Sequence, residues 1–214
     1  VPTVKLAAKV AQLAPPGLSK VTFTSGGAES TETAMKIARQ YHQIAGFPRK
    51  HKFISRRGSY HGNTFGAMSI SRNKEYHHEL YEPLLGGCIQ IPQPYRYRCE
   101  YCQSLPKCNL ECAKALERTI VAEGPDTVAA FISEPISVSA GTVVPPPDYW
   151  PTIREICTRY NVLLILDEVI TGFGRTGRWF ASEHWGVIPD MMTLAKGISS
   201  GYLPRGAVVV KKDV

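Results

Sequence analysis

Short, continuously apolar runs separate more polar stretches along this chain. The two clearest are residues 162–166, which are rich in branched side chains, and residues 191–195, which follow the breaker Pro189. Such runs are typical of strands that are buried on both faces of a parallel sheet. Five further runs predict strands at residues 20–24, 52–55, 88–92, 128–133 and 207–210.

Apolar residues recur at helical spacing between these runs. They predict helices at residues 4–13, 111–121 and 148–160, and a further helix whose buried face holds Ala34, Ile37, Ala38 and Tyr41. Strands that alternate with helices indicate an α/β fold. The expected architecture has three layers, with a doubly wound, mostly parallel seven-stranded sheet between helices.

Size and composition narrow the class of protein. The chain has 214 residues, of which 43% are hydrophobic and 20% charged, as in a soluble globular domain. It contains no apolar run long enough to span a membrane and no signal-peptide pattern, so we expect a cytoplasmic location without membrane contact. The first residue is Val1 and the last follows a strand-like run, so the chain is expected to be part of a longer protein.

The net charge of +7 comes partly from one basic stretch, formed by Arg49, Lys50, Lys52, Arg56 and Arg57. A nucleic-acid surface would show such a stretch together with exposed aromatic residues or a recognition motif. Neither is evident in the sequence. We therefore interpret the stretch as a solvated face or an anion-attracting rim, and expect no nucleic-acid partner.

Candidate chemistry lies at the ends of the two clearest runs. Asp167 and Glu168 follow the first run, and Lys196 follows the second. Ligands of open α/β sheets bind outside the carboxyl ends of the strands, so Asp167 and Lys196 are expected to face one crevice. A lysine at a semi-buried strand end is a potential amine nucleophile, and a carboxylate opposite it pairs with a protonated ring nitrogen, as in a pyridoxal phosphate site. The alternative is that Asp167 and Glu168 cap a helix or lie in a solvated turn, and that Lys196 is an ordinary surface lysine.

Three further segments have the composition of ligand-binding loops. Residues 25–28, Ser-Gly-Gly-Ala, lie between a strand and a helix, where free backbone N–H groups bind anions; a simple tight turn is the alternative. In the loop at residues 57–63, Tyr60 can stack on a flat ring or simply pack, and His61 is a satisfied polar residue on the simpler interpretation. Glu134 and Pro135 end the strand at residues 128–133.

Two patterns are typical of other kinds of site, one for a dinucleotide and one for a metal. Residues 172–177 have the glycine spacing of a dinucleotide fingerprint, but the acids just before them and the lack of a helix after them argue against a nucleotide, so we interpret them as a connection near the substrate entrance. Four cysteines, Cys99, Cys102, Cys108 and Cys112, form the second pattern. Structural zinc, an iron–sulfur cluster and unligated thiols all remain open for them, with a structural role in each case, and no metal ligand is assigned.

Together these motifs resemble the class III aminotransferases, the ω-transaminase group of fold type I pyridoxal phosphate enzymes. The match covers nearly the whole chain and rests on residues 25–29, 60–62, 134–135, 167–175 and 193–197. The resemblance implies that Lys196 forms the Schiff base with pyridoxal 5′-phosphate and acts as general acid and base. It implies that Asp167 keeps the pyridine nitrogen protonated, so that the ring becomes an electron sink.

The remaining roles that the resemblance implies concern cofactor binding. The backbone of Gly27 and Ala28 would hold the phosphate, while Tyr60 and Val169 would cover the two faces of the ring. Glu134 resembles an acid near the ring hydroxyl, and His61 is a neighbour to which no role is assigned. Residues 26–28, Gly-Gly-Ala, lack the serine that the family often has in the phosphate turn.

The resemblance also sets expectations about the whole protein. Members of the family are roughly twice as long and form dimers. Their small domain supplies substrate-binding groups, commonly an arginine for the carboxylate, and the dimer partner contributes a hydroxyl group to the phosphate site. Residues 1–214 are therefore expected to be the large cofactor-binding domain of a homodimer, without its N-terminal segment and small domain. The implied reaction moves an amino group from an amine or ω-amino acid to a 2-oxo acid such as pyruvate or glyoxylate. A decarboxylase, racemase or aminomutase of the same fold, and a non-catalytic metal-binding domain, are the alternatives.

Overall fold

The computed structural model describes residues 1–71, 78–102 and 108–214. It contains seven strands: β1 (Leu18–Thr24), β2 (Lys52–Arg56), β3 (Cys88–Ile91), β4 (Val128–Ser133), β5 (Leu163–Asp167), β6 (Met191–Leu194) and β7 (Gly206–Lys211). Its α-helices are α1 (Pro2–Leu13), α2 (Gly27–Ile44), α3 (Phe65–Ile70), α4 (Glu111–Glu123) and α5 (Tyr149–Arg159). None of the helices in this described part is long and apolar enough to cross a lipid bilayer.

All seven predicted strands form one sheet in the order β1-β7-β6-β5-β4-β2-β3. Strand β7 runs antiparallel to both of its neighbours, and the other neighbouring pairs are parallel. The predicted α/β fold with a mostly parallel seven-stranded sheet is therefore confirmed. In the register of β5 and β6, Asp167 lies beside Thr193, which brings the end of β5 next to the segment that leads to Lys196.

Helices cover both faces of the sheet. Alternate residues of β5 point to opposite faces: Ile165 packs in the cluster that includes α2, and Leu164 packs in the cluster that includes α4 and α5. Both side chains are fully buried, which stabilises the fold by about 1.5–3 kcal/mol for each. Helix α1 packs against β1. Burial on both faces explains why β5 is continuously apolar.

Helix α3 was not predicted from the sequence. It has six residues and contains Gly66, so it is too short for a clear helical period. A side chain on Gly66 would meet the Glu32 carboxylate, whose Oε1 accepts a hydrogen bond from the Gly66 amide at 3.1 Å. Contacts with α2 therefore hold α3 in place more than its own pattern does.

Two members of the basic stretch are buried, so the interpretation of that stretch as a solvated face was wrong for them. Lys50 is 4% exposed and donates hydrogen bonds from Nζ to the carbonyl oxygens of Pro125, Val128 and Tyr160, at 2.8, 2.9 and 3.1 Å. Burial lowers the pKa of Lys50 to about 8. Its three carbonyl partners satisfy the ammonium group without a carboxylate.

Arg56, the second buried member, is the last residue of β2. Its side chain is fully buried, with the guanidinium carbon 5.4 Å from the centre of the Trp150 ring. It donates a hydrogen bond to the Glu134 carbonyl oxygen. Arg56 therefore anchors the end of β4, where Glu134 begins the candidate site.

Asp190 ties the start of β6 to two other elements. Its Oδ2 accepts hydrogen bonds from Arg154 at 2.7 Å and from the Leu164 amide at 2.8 Å, while its Oδ1 accepts one from Lys211 at 2.7 Å. Burial alone would raise the pKa of the Asp190 carboxyl, but Arg154 and the other donors hold it below the ordinary value. A buried carboxylate with two cationic partners is costly to neutralise.

Replacing Asp190 by asparagine is expected to lower the free energy of unfolding by about 2–4 kcal/mol, because both cations lose their partner. Since folding depresses this pKa, the stabilisation is present above the ordinary value of 3.8 and is lost as the pH falls through the folded-state pKa. Denaturant titration measures the difference. Asp126→Asn is the matched control, because Asp126 pairs with Arg49 on the surface and its loss should change stability little. Equal stability of the two variants would contradict the prediction.

Candidate active site

A cavity of about 370 Å³ opens at the carboxyl ends of the parallel strands. Every residue predicted for the site lines it: Gly27, Ala28, Tyr60, His61, Glu134, Asp167, Val169 and Lys196. These residues come from the segments that follow β1, β2, β4 and β6, and from the end of β5 and the residues after it. The topology therefore brings together side chains that are far apart in the sequence, as expected for an open α/β sheet.

Asp167 is the last residue of β5 and is 4% exposed. Its Oδ2 lies 2.7 Å from Nδ1 of His61, and its Oδ1 accepts a hydrogen bond from the Val169 amide at 3.1 Å. These two partners fix the plane of the carboxylate. Each carboxylate oxygen can accept a second hydrogen bond, so Asp167 retains capacity for a ligand in the cavity.

His61 is buried and held by its own backbone. Its amide donates to Ser71 Oγ at 2.7 Å, and its carbonyl oxygen accepts from Thr31 Oγ1 at 2.9 Å. Burial alone would lower the pKa of His61, but the hydrogen bond with Asp167 and the charges of Glu134 and Asp167 raise it overall. The sequence assigned no role to His61, whereas the structure pairs it with Asp167.

The glycine turn after β1 leads directly into α2, whose N-cap is Gly26. Ser30 Oγ joins this turn to the sheet, because it donates to the Gly26 carbonyl oxygen at 2.8 Å and to the Leu194 carbonyl oxygen at 3.1 Å. A Cβ atom on Gly27 would stand 3.1 Å from Cγ1 of Val169. The absence of a side chain therefore leaves room in the cavity, and the first amides of α2 have no partner within the helix, as at helix starts that bind anions.

Tyr60 and Glu134 line the cavity from the segments after β2 and β4. The Tyr60 amide donates to Glu134 Oε1 at 3.3 Å, and Ser139 Oγ donates to the same oxygen at 3.3 Å. The Tyr60 hydroxyl donates to Asn63 Oδ1 at 3.0 Å. Among the residues that the structure describes, no hydrogen-bond partner is found for Glu134 Oε2 or for His61 Nε2, although both atoms are buried.

Lys196 lies past the end of β6, at the start of a short 3₁₀ helix, Lys196–Ile198. It was expected at a semi-buried strand end, and the structure corrects this: the residue is exposed and has a φ angle of 43°. Left-handed backbone at a residue with a side chain costs about 1–2 kcal/mol and occurs often at functional sites. Here it turns the chain away from the sheet and leaves the lysine in the cavity wall.

Glu168 belongs to the loop that follows β5. Its buried carboxylate accepts hydrogen bonds from the amides of Ala181 and Ser182, at 3.0 and 2.9 Å, and from the Thr171 hydroxyl. It therefore closes the loop that carries the glycine-rich residues 172–177. Residues 178–214, all of which the structure describes, contain no α-helix, and the first helical element after those glycines is a 3₁₀ helix at Ala181–Trp185, which agrees with the rejection of a dinucleotide fingerprint.

The four clustered cysteines lie outside the cavity. Cys99 and Cys112 are buried in the core, and burial raises the pKa of the Cys112 thiol to about 12, with a further contribution from the neighbouring thiols. Residues 103–107, between Cys102 and Cys108, lie outside the described residues. In the described ranges, no three or more His, Cys, Asp or Glu side chains are arranged to hold a metal ion.

Comparison with known proteins decides the family. The family model for aminotransferase class-III matches residues 1–214. The chain belongs to the class III aminotransferases. The predicted resemblance is thereby confirmed, and so is the cofactor, because class III aminotransferases depend on pyridoxal 5′-phosphate.

Similar proteins and structures agree with this assignment. The chain is 43% identical over 213 residues to the putrescine–pyruvate aminotransferase of Pseudomonas aeruginosa. It is 40% identical over 216 residues to the taurine–pyruvate aminotransferase of Bilophila wadsworthia. Each match covers 100% of this chain and 46% of the relative. An (S)-enantioselective omega-transaminase from Thermomicrobium roseum superposes with a TM-score of 0.90 at 46% identity, over 99% of this chain and 47% of that one. An omega transaminase from Pseudomonas jessenii in complex with PMP superposes with a TM-score of 0.92 at 39% identity, over 100% of this chain and 47% of that one.

This class III chain spans about half the length of the relatives it matches. Within that half, sequence reasoning missed several contributors to the site. Ser30, Thr31 and Ser71 hold the turn and His61 in place, and Arg205 lines the cavity. Single hydroxyl residues give no local signal, because their partners are fixed only by the fold. A cation just before a predicted strand was the one available hint for Arg205.

Proposed function

We propose that the protein containing this chain is a pyridoxal-phosphate-dependent transaminase that moves an amino group from an amine or ω-amino acid to a 2-oxo acid. The observation that carries the proposal is that Lys196, the Asp167–His61 pair and the Gly27–Ala28 turn line one cavity. An amine, a fixed carboxylate and an anion-binding helix start are the three parts that this cofactor requires.

The residues present fit the cofactor. Gly27 leaves the space that a side chain would fill beside Val169, and two buried polar atoms, His61 Nε2 and Glu134 Oε2, have no hydrogen-bond partner in the described residues, although Arg56 Nη2 stands 4.0 Å from Glu134 Oε2. Polar atoms of this kind are normally satisfied by a ligand or water. We propose that the amides of Gly27 and Ala28 hold the phosphate, and that the remaining residues orient the ring.

Each residue then has a defined task. When bound, the cofactor supplies an electron-accepting ring that stabilises negative charge on the donor carbon. Lys196 Nζ supplies the amine that holds the cofactor, and it takes up and returns the proton of the donor carbon. Asp167 accepts the ring N–H with its free carboxylate capacity, and Tyr60 and Val169 hold the ring between them. Glu134 accepts a hydrogen bond near the ring hydroxyl.

The larger assembly is also a proposal. Residues 1–214 would form the large cofactor-binding domain, with substrate-binding groups added by the rest of the protein. A homodimer is supported by apolar surface beside the cavity, where Leu203 is 64% exposed and Tyr202 is 89% exposed. Amine donors and pyruvate are supported as substrates by the names of the putrescine–pyruvate and taurine–pyruvate relatives. The cytoplasmic location stays a prediction.

A single-turnover experiment tests the reaction. The full-length holoprotein is mixed with putrescine and, separately, with L-ornithine, a chiral donor that carries a carboxylate, and the cofactor spectrum, the carbonyl product and carbon dioxide are measured together. We expect one equivalent of carbonyl product, loss of the visible absorption band, no carbon dioxide, and recovery of the band with formation of alanine when pyruvate is added. Release of carbon dioxide, or a racemised donor that keeps its amino group, would instead identify a decarboxylase or racemase.

A further inference from the structure

Arg205 lies in the wall of the same cavity, directly before β7. Its neighbour Gly206 pairs with Thr24 at the end of β1, and a Cβ atom on Gly206 would collide with the Gly26 carbonyl oxygen. The backbone at Arg205 is therefore pressed against the turn that begins α2. This contact fixes where the arginine side chain starts, in the wall of the cavity that Gly27 and Ala28 also line.

The charge of Arg205 is uncompensated. Its guanidinium carbon stands 5.2 Å from the centre of the Phe23 ring, and the residue is half-buried. Within the described ranges its side chain makes no salt bridge or hydrogen bond with the protein. Other arginines of this chain, such as Arg154 and Arg159, have carboxylate partners. An aromatic face holds the guanidinium in place while leaving its N–H donors available.

The position of Arg205 in the cavity wall suggests a ligand for its guanidinium group. Lys196 and Arg205 are the lysine and the arginine among the described residues that line the cavity, and the proposed function already uses the amine of Lys196. Arginine remains charged at all ordinary pH values and presents a planar set of donors that matches the oxygens of a phosphate or carboxylate. A free guanidinium in a partly enclosed space is suited to bind such an oxyanion.

We infer that Arg205 is an anion-binding residue of this cavity and contacts either the phosphate of the cofactor or the carboxylate of the 2-oxo acid. The inference rests on the proposed function for the identity of these two ligands. The shared chemistry is an oxyanion that accepts two N–H donors. Its position next to the Gly26 turn points to the phosphate, and its place in the same wall as Lys196 is compatible with the carboxylate.

Direct binding to the full-length apoprotein tests the inference without any turnover. Calorimetric titrations with inorganic phosphate alone and with pyruvate alone are compared for the natural protein, Arg205→Met and Arg205→Lys. For the ligand that Arg205 contacts, we expect binding about 10- to 100-fold weaker in Arg205→Met, with partial recovery in Arg205→Lys because the charge is kept. An effect confined to phosphate assigns the cofactor contact, and one confined to pyruvate assigns the substrate contact.

Arg39→Met is the matched control. The Arg39 guanidinium carbon also lies 5.2 Å from the centre of a phenylalanine ring, that of Phe53, but Arg39 does not line the cavity. Loss of one arginine from a phenylalanine face is thus common to both variants, and Arg39→Met should bind both anions as the natural protein does. Thermal unfolding of each variant checks that the fold is kept.

The outcomes separate this inference from the proposed function. Binding of phosphate and pyruvate by Arg205→Met with the affinities of the Arg39→Met control would overturn the role of Arg205, whatever the enzyme does. Titration with pyridoxal 5′-phosphate and with pyridoxal, which lacks the phosphate, completes the test. A natural protein that develops no visible band with pyridoxal 5′-phosphate would overturn the proposed function, while weaker anion binding by Arg205→Met would still support the inference.

Discussion

Replacing Lys196 by alanine is expected to abolish amino-group transfer, with a fall in kcat of at least about 10⁴-fold. Two functions are lost together, the amine that holds the cofactor and the base that moves the proton. Lys196 is the lysine that lines the cavity in the described part of the chain, so no neighbouring amine replaces it there. The visible absorption band of the holoprotein should disappear, and single-turnover formation of the carbonyl product measures the loss.

Lys212→Ala is the matched control for this prediction. Lys212 is exposed and follows β7 at the end of the strand opposite to Arg205, far from the cavity along the strand. Its replacement removes the same charge and should leave the spectrum and kcat unchanged. Added small primary amines should restore part of the activity of Lys196→Ala, because they replace the missing base. A Lys196→Ala variant that keeps the activity of the control would remove Lys196 from the mechanism.

The seven strands were predictable because each of them has a recognisable local pattern of residues in the sequence. In β4 and β5 all residues are buried, so burial on both faces produces a continuous apolar run in the sequence. The strand order and the antiparallel direction of β7 produce no such pattern, because they depend on how distant segments cross over. The same holds for α3, whose six residues are positioned by α2.

The residues of the site could be predicted from the sequence, but the hydrogen bonds between them could not. Asp167 and Lys196 could be found because they end apolar runs, and the sheet brings strand ends together. The bond between Asp167 and His61 joins residues that are 106 positions apart, so no local pattern records it. Distance along the chain also explains the error at Lys50, whose carbonyl partners lie 75 to 110 residues away. A buried cation with remote backbone partners looks like a surface residue in the sequence.

Replacing Asp167 by asparagine is expected to lower kcat/KM by about 10²- to 10³-fold while the cavity keeps its shape. The amide has nearly the same size as the carboxylate but carries no charge, so it cannot balance a positive ring nitrogen. Loss of one partner from a buried ion pair costs about 3–5 kcal/mol, and the lower part of this range, about 3–4 kcal/mol, corresponds to about 10²- to 10³-fold in rate. Steady-state kinetics of the full-length enzyme measures the change, and Asp126→Asn serves as the surface control.

A cofactor analogue sharpens the Asp167 experiment. When the pyridine nitrogen carries a methyl group, its positive charge is permanent and needs no carboxylate to retain it. Activity of Asp167→Asn should therefore rise with the N-methylated analogue, whereas the natural enzyme should gain nothing from it. Equal rates of Asp167→Asn with both cofactors would contradict the assigned role of the carboxylate, and would favour a purely structural effect of the substitution.

His61 extends this prediction from the carboxylate to the residue that positions it. Its imidazolium stabilises the charged form of Asp167 across 2.7 Å. Because the pKa of His61 is raised, this pairing is complete below the ordinary value of 6.5. It is lost as the pH rises through the folded-state pKa of His61. His61→Gln keeps a hydrogen-bond donor but cannot be charged, so the alkaline decline in kcat/KM that belongs to His61 should disappear in that variant. In a double-mutant cycle, the effects of His61→Gln and Asp167→Asn should be non-additive, because the second substitution removes the group on which the first acts. Additive effects and an unchanged pH profile would show that His61 fills space beside Asp167 without tuning it.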